Sequence, residues 1–321
     1  MNFSVLIPAF NARSFIEEAL DSVASQTLKP REIIVVDDGS NDDTGDAVER
    51  WALRRRTEVK LIRQENQGVS VARNRGIATA AGDWIALLDA DDVWLPAHLA
   101  ALKRAIDVCP TANVAFGDAV YFSQGRADSG PVVRESAIAG GDACDVPGFF
   151  VLSDRLFEAL LPGLFLCPAS TAFRRDAAEA IGGFDARIKY IEDRDFFLRL
   201  SRRSVFVFVD TVISRARVHD HNITHPKNAA RNAYFMVKLL KQIEERAQEF
   251  KLNPRELSLT ELERQKTIRY FLYASSANGV ASYFGAVGTV LKIGEISRSL
   301  LNVRVLMRAL YYSIVILLTR P

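Results

Sequence analysis

The sequence predicts an α/β protein whose mostly parallel sheet is flanked by helices on both faces. Three observations carry the prediction. From Ser4 to Val108, short apolar runs alternate with segments of helical spacing, the rhythm of strand–helix repeats. Acidic turns, Asp37-Asp38 and Asp89-Ala90-Asp91-Asp92, directly follow two of the apolar runs. In such sheets ligands bind beyond the carboxyl ends of the strands, so both turns point to one crevice. Finally, 321 residues with 49% hydrophobic and 25% charged residues are ordinary globular usage, which excludes a disordered or collagen-like chain.

Taken in order, Ser4 to Ile7 is a buried strand stopped by Pro8. Ser14 to Gln26 is a helix, with Phe15, Ile16, Ala19, Leu20 and Val23 on one face. Glu32 to Val36 is a strand ending in the polar turn Asp37-Asp38-Gly39-Ser40. Asp42 to Leu53 is a helix, Val59 to Arg63 a strand, and Ser70 to Ala80 a helix. Trp84 to Leu88 is a strand and Pro96 to Val108 a helix, with His98 on its surface and inert. Ser123 to Pro168 loses the rhythm and predicts loops. Phe184 to Arg199 regains helical spacing, and Val205 to Val209 is a strand. From Lys227 the chain is helical. The expected organisation is therefore one domain over residues 1–226 and a helical region over 227–321, which binds membrane or makes oligomer contacts.

Composition narrows the function. Lys+Arg 41 against Asp+Glu 39 leaves a formal charge of +2, no footprint of a nucleic-acid binder. Cys109, Cys144 and Cys167 form no CxxC pair, so neither a disulfide framework nor a zinc ribbon is suggested, and a reducing cytoplasmic setting fits. The N-terminal run lacks a basic region and cleavage site, so no signal peptide is expected. No stretch reaches the roughly 18 apolar residues of a membrane span. Ala309 to Thr319 is uncharged but short, between Arg298, Arg304 and Arg308 upstream and Arg320 after it. Two readings stay open: a helix in the membrane interface, peripheral on the inner face, or one packed on protein.

Asp89-Ala90-Asp91 can offer two carboxylates to a hard cation, Mn²⁺ or Mg²⁺, leaving positions for water and phosphate. An acidic surface turn is the bland alternative. Asp37 and Asp38 can accept hydrogen bonds from a base or ribose. Capping of the next helix is the competing role, open equally to Ser40, Asn41 or Asp42. No Gly-x-x-x-x-Gly-Lys loop occurs, and no Gly-x-Gly-x-x-Gly follows the first strand, which argues against P-loop and dinucleotide enzymes.

Pro8-Ala9-Phe10-Asn11, Ser22-Val23 with Gln26-Thr27, and Ile33 to Ser40 with Asp43-Thr44 come in a fixed order. Asn66-Gln67-Gly68, Ala72-Arg73-Asn74 with Gly76, and Leu88 to Asp92 follow. Over about residues 1–220 this series closely resembles the family 2 glycosyltransferases, which have the GT-A fold. The resemblance implies inverting transfer of a sugar from a nucleoside diphosphate donor. It places Pro8, Phe10 and Asn11 beside the base, Asp38 on the base, and Arg73 near the nucleotide. Asp89 would serve the ribose or metal side, and Asp91 the metal directly. The later Gly182-Gly183-Phe184-Asp185 and Glu192-Asp193 resemble the acceptor-side motifs, with Asp193 the general base and Glu192 positioning it or the acceptor. Asp195 would be a structural partner of Arg194 or Arg199. In Arg217-Val218-His219 the resemblance sets His219 beside the diphosphate and metal. A separate site of His219, His221 and His225 is the weaker alternative.

No Gln-x-x-Arg-Trp occurs, so a non-processive enzyme is expected. The expected donor is a UDP-sugar and the expected acceptor a glycan or lipid-linked hydroxyl in cell-surface polysaccharide synthesis. The rivals are an inactive nucleotide-sugar- or glycan-binding protein and a sugar-phosphate nucleotidyltransferase. The second would open with a glycine-rich loop where Pro8-Ala9-Phe10-Asn11 stands.

Overall fold

The computed structural model describes residues 1–123, 128–153, 156–162, 166–219, 226–277 and 280–292. The chain divides into two compact units, Met1–His219 and Asp220–Pro321. The first begins β1 (Phe3–Ala9), α1 (Ile16–Ala24), β2 (Glu32–Asp37), α2 (Thr44–Arg55), β3 (Lys60–Arg63), α3 (Val69–Thr79) and β4 (Trp84–Leu87). It continues through β5 (Val93–Trp94), α4 (His98–Val108), β6 (Val114–Phe122), α5 (Arg134–Gly140), β7 (Asp142–Ala143), β8 (Phe149–Leu152) and α6 (Leu156–Leu160). A 3₁₀ turn at Pro168–Ser170 leads into β9 (Thr171–Arg174), α7 (Arg175–Ala180), α8 (Glu192–Ser201) and β10 (Phe206–Arg217). In the second unit lie α9 (Ala229–Glu245), α10 (Pro254–Ser276) and α11 (Val280–Lys292).

Among the described residues the strands form one ten-stranded sheet in the order β3-β2-β1-β4-β9-β6-β10-β8-β7, with β5 paired to β10. The first four strands are parallel, as strand–helix alternation requires. β9 then enters antiparallel between β4 and β6, and the sheet becomes mixed. β1 is buried along its whole length, as expected of a strand covered on both faces. Ala19, Leu20 and Val23 of α1, Trp51 of α2 and Leu99 and Leu102 of α4 share one core with Phe3, Val5 and Ile7 of β1.

Several expectations need correction. β6 and β9 are strands beyond those expected: β6 is buried on both faces, so it shows no alternation, and Gly117-Asp118 interrupts its apolar run, while β9 is only four residues long. Ser123 to Pro168 contains α5, β7, β8 and α6 rather than loops alone. The helix expected from Phe184 begins only at Glu192, where Ile191 before it takes a left-handed φ of 58° that a continuing helix does not allow. β10 runs on to Arg217 through two irregularities in its pairing with β6. His98 is fully buried, stacked on Trp94 at 3.9 Å, with Nδ1 3.1 Å from the Ile213 carbonyl. Burial lowers its pKa to about 3.

In the second unit, Ala233, Val237, Ile268, Phe271, Leu272 and Tyr283 pack into a core of their own. Asn253 caps α10 with a reciprocal capping box to Glu256. No helix among the described residues is long and apolar enough to cross a membrane. The basic, apolar C-terminal segment, His221 and His225 lie outside the described residues.

Candidate active site

The loops after β1 and β2 are laced together by the residues of their motifs. The Asn11 N–H donates to Ser40 Oγ (2.9 Å), and the Asn41 N–H donates to Asn11 Oδ1 (3.0 Å). The Ala12 N–H donates to Thr44 Oγ1 (2.9 Å). Asn11 tolerates the left-handed φ of 50° that this lacing requires. Pro8 is buried in β1 and Phe10 is half exposed at its end. Asp37 Oδ1 accepts the Ser40 N–H (3.0 Å) and so stabilises the turn; α2 starts without a side-chain cap.

Asp38 does different work. Its Oδ1 accepts from Gln64 Nε2 (2.7 Å) and the Gln67 N–H (2.8 Å), and its Oδ2 from the Gly68 N–H (2.8 Å). A carboxylate on another strand thus satisfies amides at the N-terminus of α3, where negative charge is favoured. Gly68 supplies the φ of 91° at that entry.

The acidic turn after β4 is held from several sides. Asp91 Oδ2 lies 2.9 Å from His219 Nε2, and Asp92 Oδ1 accepts the Arg217 N–H (2.8 Å). Burial and the Asp89 charge push the Asp91 carboxyl above its usual range, while the His219 hydrogen bond pulls it down. Burial, with Asp91 and Asp89 beside it, raises Asp92 further. Carboxylate oxygen and imidazole nitrogen at hydrogen-bond distance are a donor pair suited to Mn²⁺, and Asp89 lies two residues away. Among the described residues no group of three or more His, Cys, Asp or Glu could hold a cation. Asp91 and His219 could hold a cation only if its remaining ligands came from water and phosphate.

Arg73, on α3, joins this turn to α8. Its Nη2 donates to Asp89 Oδ1 (3.0 Å) and its Nη1 to Glu192 Oε1 (2.7 Å). The side chain is 4% exposed. Burial works against its charge, but Asp89, Glu192 and Asp193 outweigh that and raise its pKa. The next residue fixes the same junction: Asn74 Nδ2 donates to the Phe184 carbonyl (2.7 Å), and Asn74 Oδ1 accepts the Phe184 N–H (2.8 Å). Phe184 stacks on Phe196 of α8 at 4.0 Å.

Burial raises the carboxyls of both Glu192 and Asp193, with Arg73 opposing in each case. Asp193 is half-buried, its Oδ1 accepting the Arg194 N–H (2.8 Å). Asp195 instead pairs with Arg199 one turn on (2.6 Å). Two further side chains come to this crevice that sequence reasoning missed. The Cys167 thiol is raised by burial and by Asp92, Asp89 and Asp193. The Tyr121 phenol is raised by burial, Cys167 and Asp92. Neither belongs to a spaced motif: Tyr121 stands on β6 opposite Ala216 of β10, and Cys167 lies just before the 3₁₀ turn that leads into β9.

The sequence model described as "Glycosyl transferase family 2" matches residues 4–182. An uncharacterized glycosyltransferase of Rickettsia typhi is 29% identical over 222 residues, 69% of this chain and 65% of that protein. Staphylococcus aureus TarS has a similar fold, with a TM-score of 0.59 and 20% identity over 95% of this chain and 50% of TarS. Its 1–349 fragment in complex with UDP-GlcNAc has a TM-score of 0.55 and 18% identity, over 93% of each chain. A mannosyltransferase of Pyrobaculum calidifontis in complex with GDP-Man and Mn²⁺ gives 0.60 and 18%, over 92% of this chain and 76% of that one. The present chain thus spans just under two thirds of the Rickettsia protein and half of TarS. Strand-end carboxylates facing a second acidic motif across one buried arginine, on this sheet and with this family match, mean that the chain belongs to glycosyl transferase family 2 and has the GT-A fold.

Proposed function

We propose that the chain is a metal-dependent, inverting, non-processive glycosyltransferase that moves a sugar from a nucleoside diphosphate donor to an acceptor hydroxyl. The single observation that carries this reading is the Asp89–Arg73–Glu192 bridge, which sets donor-side carboxylates and the Glu192-Asp193 pair in one crevice. Asp193 is the general base. It takes the acceptor proton as the acceptor oxygen bonds to the sugar's anomeric carbon. On the opposite side the carbon–oxygen bond to the diphosphate breaks, and its electron pair leaves with the nucleotide. A divalent cation, Mn²⁺ or Mg²⁺, held by Asp91 and His219 with Asp89 nearby, neutralises charge on that leaving group when bound.

Asp38 supports a uracil or thymine donor. Of about four lone-pair sites on a carboxylate, three are taken, and a single imide N–H suits the fourth. Guanine would present a wider donor edge. The acceptor fits a glycan or lipid-linked hydroxyl of cell-surface polysaccharide synthesis, with the protein on the inner membrane face. The resemblance of the motifs supports the acceptor class, the basic, apolar stretch between Arg298 and Arg320 supports the membrane face, and the lack of a Gln-x-x-Arg-Trp motif supports non-processive transfer.

The test is calorimetric titration of UDP, dTDP and GDP, with Mn²⁺ and then with EDTA. Tight, Mn²⁺-dependent binding of UDP or dTDP is expected. No binding of any of the three would overturn the reading. Turnover should release nucleoside diphosphate; release of pyrophosphate would identify a nucleotidyltransferase instead.

A further inference from the structure

His219 is the last residue of the first unit, two residues beyond the end of β10, yet it meets a carboxylate 128 residues earlier at 2.9 Å. What holds it there is a brace made mainly by Arg217 and Phe15. The Arg217 N–H donates to Asp92 Oδ1 (2.8 Å), and its Nε donates to the Asp91 carbonyl (2.8 Å). Its Nη2 pairs with Glu18 on α1. The guanidinium lies over two rings, Phe122 at 4.4 Å and Phe15 at 5.1 Å from the centroids. Phe15, at the start of α1, also stacks on the His219 ring at 4.9 Å and 17°. Between them the Val218 N–H donates to the Phe122 carbonyl (2.8 Å).

We propose that Phe15, Arg217 and Glu18 are positioning residues that pre-set the Asp91–His219 pair for its cation; this rests on the metal-dependent reading above. Arg217 fixes the backbone of the acidic turn through the Asp91 carbonyl and Asp92, and in the same act fixes the chain that carries His219. Phe15 fixes the plane of the imidazole. An imidazole on an unsupported strand end would sample several rotamers, and a ligand that must first be ordered binds its metal less tightly. Glu18 holds the outer face of the guanidinium and thereby its stacking on both rings. A ring stacked on a guanidinium and an imidazole at once does more than fill space, because each contact has a preferred geometry.

The readout is the Mn²⁺-linked gain in nucleotide affinity: Kd in EDTA divided by Kd in Mn²⁺. UDP, dTDP and GDP are titrated, and the one the wild type binds most tightly is used. Phe15→Leu and Arg217→Lys should each lower the gain about 5- to 30-fold, with the EDTA Kd within about twofold of wild type. Glu18→Gln, at a side chain 54% exposed, should lower it about threefold without endangering the fold. Phe15→Tyr keeps the ring and should keep the gain. An unchanged gain in Phe15→Leu and Glu18→Gln would overturn the proposal. So would equal losses in EDTA and Mn²⁺, which would mean that the residues merely shape the nucleotide pocket. If Phe15→Leu does not fold, Glu18→Gln decides. A wild type without any Mn²⁺-linked gain would overturn the metal-dependent reading itself, and this proposal with it.

Discussion

At the scale of the residue, the roles are separable by measurement. Asp193→Asn should cut kcat about 10²–10⁴-fold with nucleotide affinity retained, because only proton transfer is lost. A kcat near wild type would remove the base assignment. Since burial raises the Asp193 carboxyl above its ordinary 3.8, the base is lost as pH falls through that raised value. The acid limb of kcat therefore lies above the usual aspartate range, and a limb at the ordinary value would contradict the assignment. Asp91→Ala should cost about 10²–10³-fold in kcat by loss of charge stabilisation, and should also abolish the gain from Mn²⁺ in calorimetry. His98 gives a stability test. Its folded pKa of about 3 lies below the ordinary 6.5, so between these values the unfolded chain binds more protons. Its contribution to stability is full above pH 6.5 and is lost as pH falls. Between pH 7.5 and 5 the wild type should lose about 2 kcal/mol more than His98→Leu in denaturant titrations. Equal losses would show that His98 titrates normally.

At the scale of the element, α3 is the joint between the two chemical halves of the crevice. The two amides leading into it, Gln67 and Gly68, are held by Asp38, its middle reaches Asp89 and Glu192 through Arg73, and Asn74 grips the turn before α8. Gly76 is required because a Cβ there would lie 2.0 Å from Leu6 of β1, which keeps the helix close on the sheet. At Gly183 a Cβ would come within 2.5 Å of Asn74 Oδ1. Asn74→Ala should lower stability by about 1–3 kcal/mol in chemical denaturation, since two backbone groups of Phe184 lose their partners. Nucleotide affinity should change little, because the donor-side lacing of β1 and β2 does not involve Asn74. An unchanged denaturation midpoint would show that the Phe184 turn holds without the amide.

At the scale of the whole molecule, the carboxylates, Arg73 and His219 of the proposed site all lie in Met1–His219, and α9 to α11 build a separate core. Leu272, 1% exposed in that second core, provides the test. Leu272→Ala should destabilise the second unit by about 2–5 kcal/mol, read as a lowered thermal transition, with UDP affinity unchanged. A parallel loss of UDP affinity would show that the helical unit contributes to the donor site.

The sequence by itself determined the first half of the sheet, because β1 to β4 and their helices are local patterns closed by short turns. It also marked the candidate site residues, because strand-end carboxylates and the Glu192-Asp193 pair sit in ordered, spaced motifs. The tertiary structure alone decided what those residues touch. The motifs single out Arg73, but its partners Asp89 and Glu192 lie 16 and 119 residues away and no local pattern connects them. Phe15 had the spacing of an ordinary core position on α1, and His98 that of a surface one. The stacking of Phe15 on His219 depends on the far end of β10, and the burial of His98 depends on the Ile213 carbonyl of β10, 115 residues on. Local spacing reports which face of an element is apolar. Contacts between strands far apart in sequence depend on the order of the sheet, which is set by packing over the whole core.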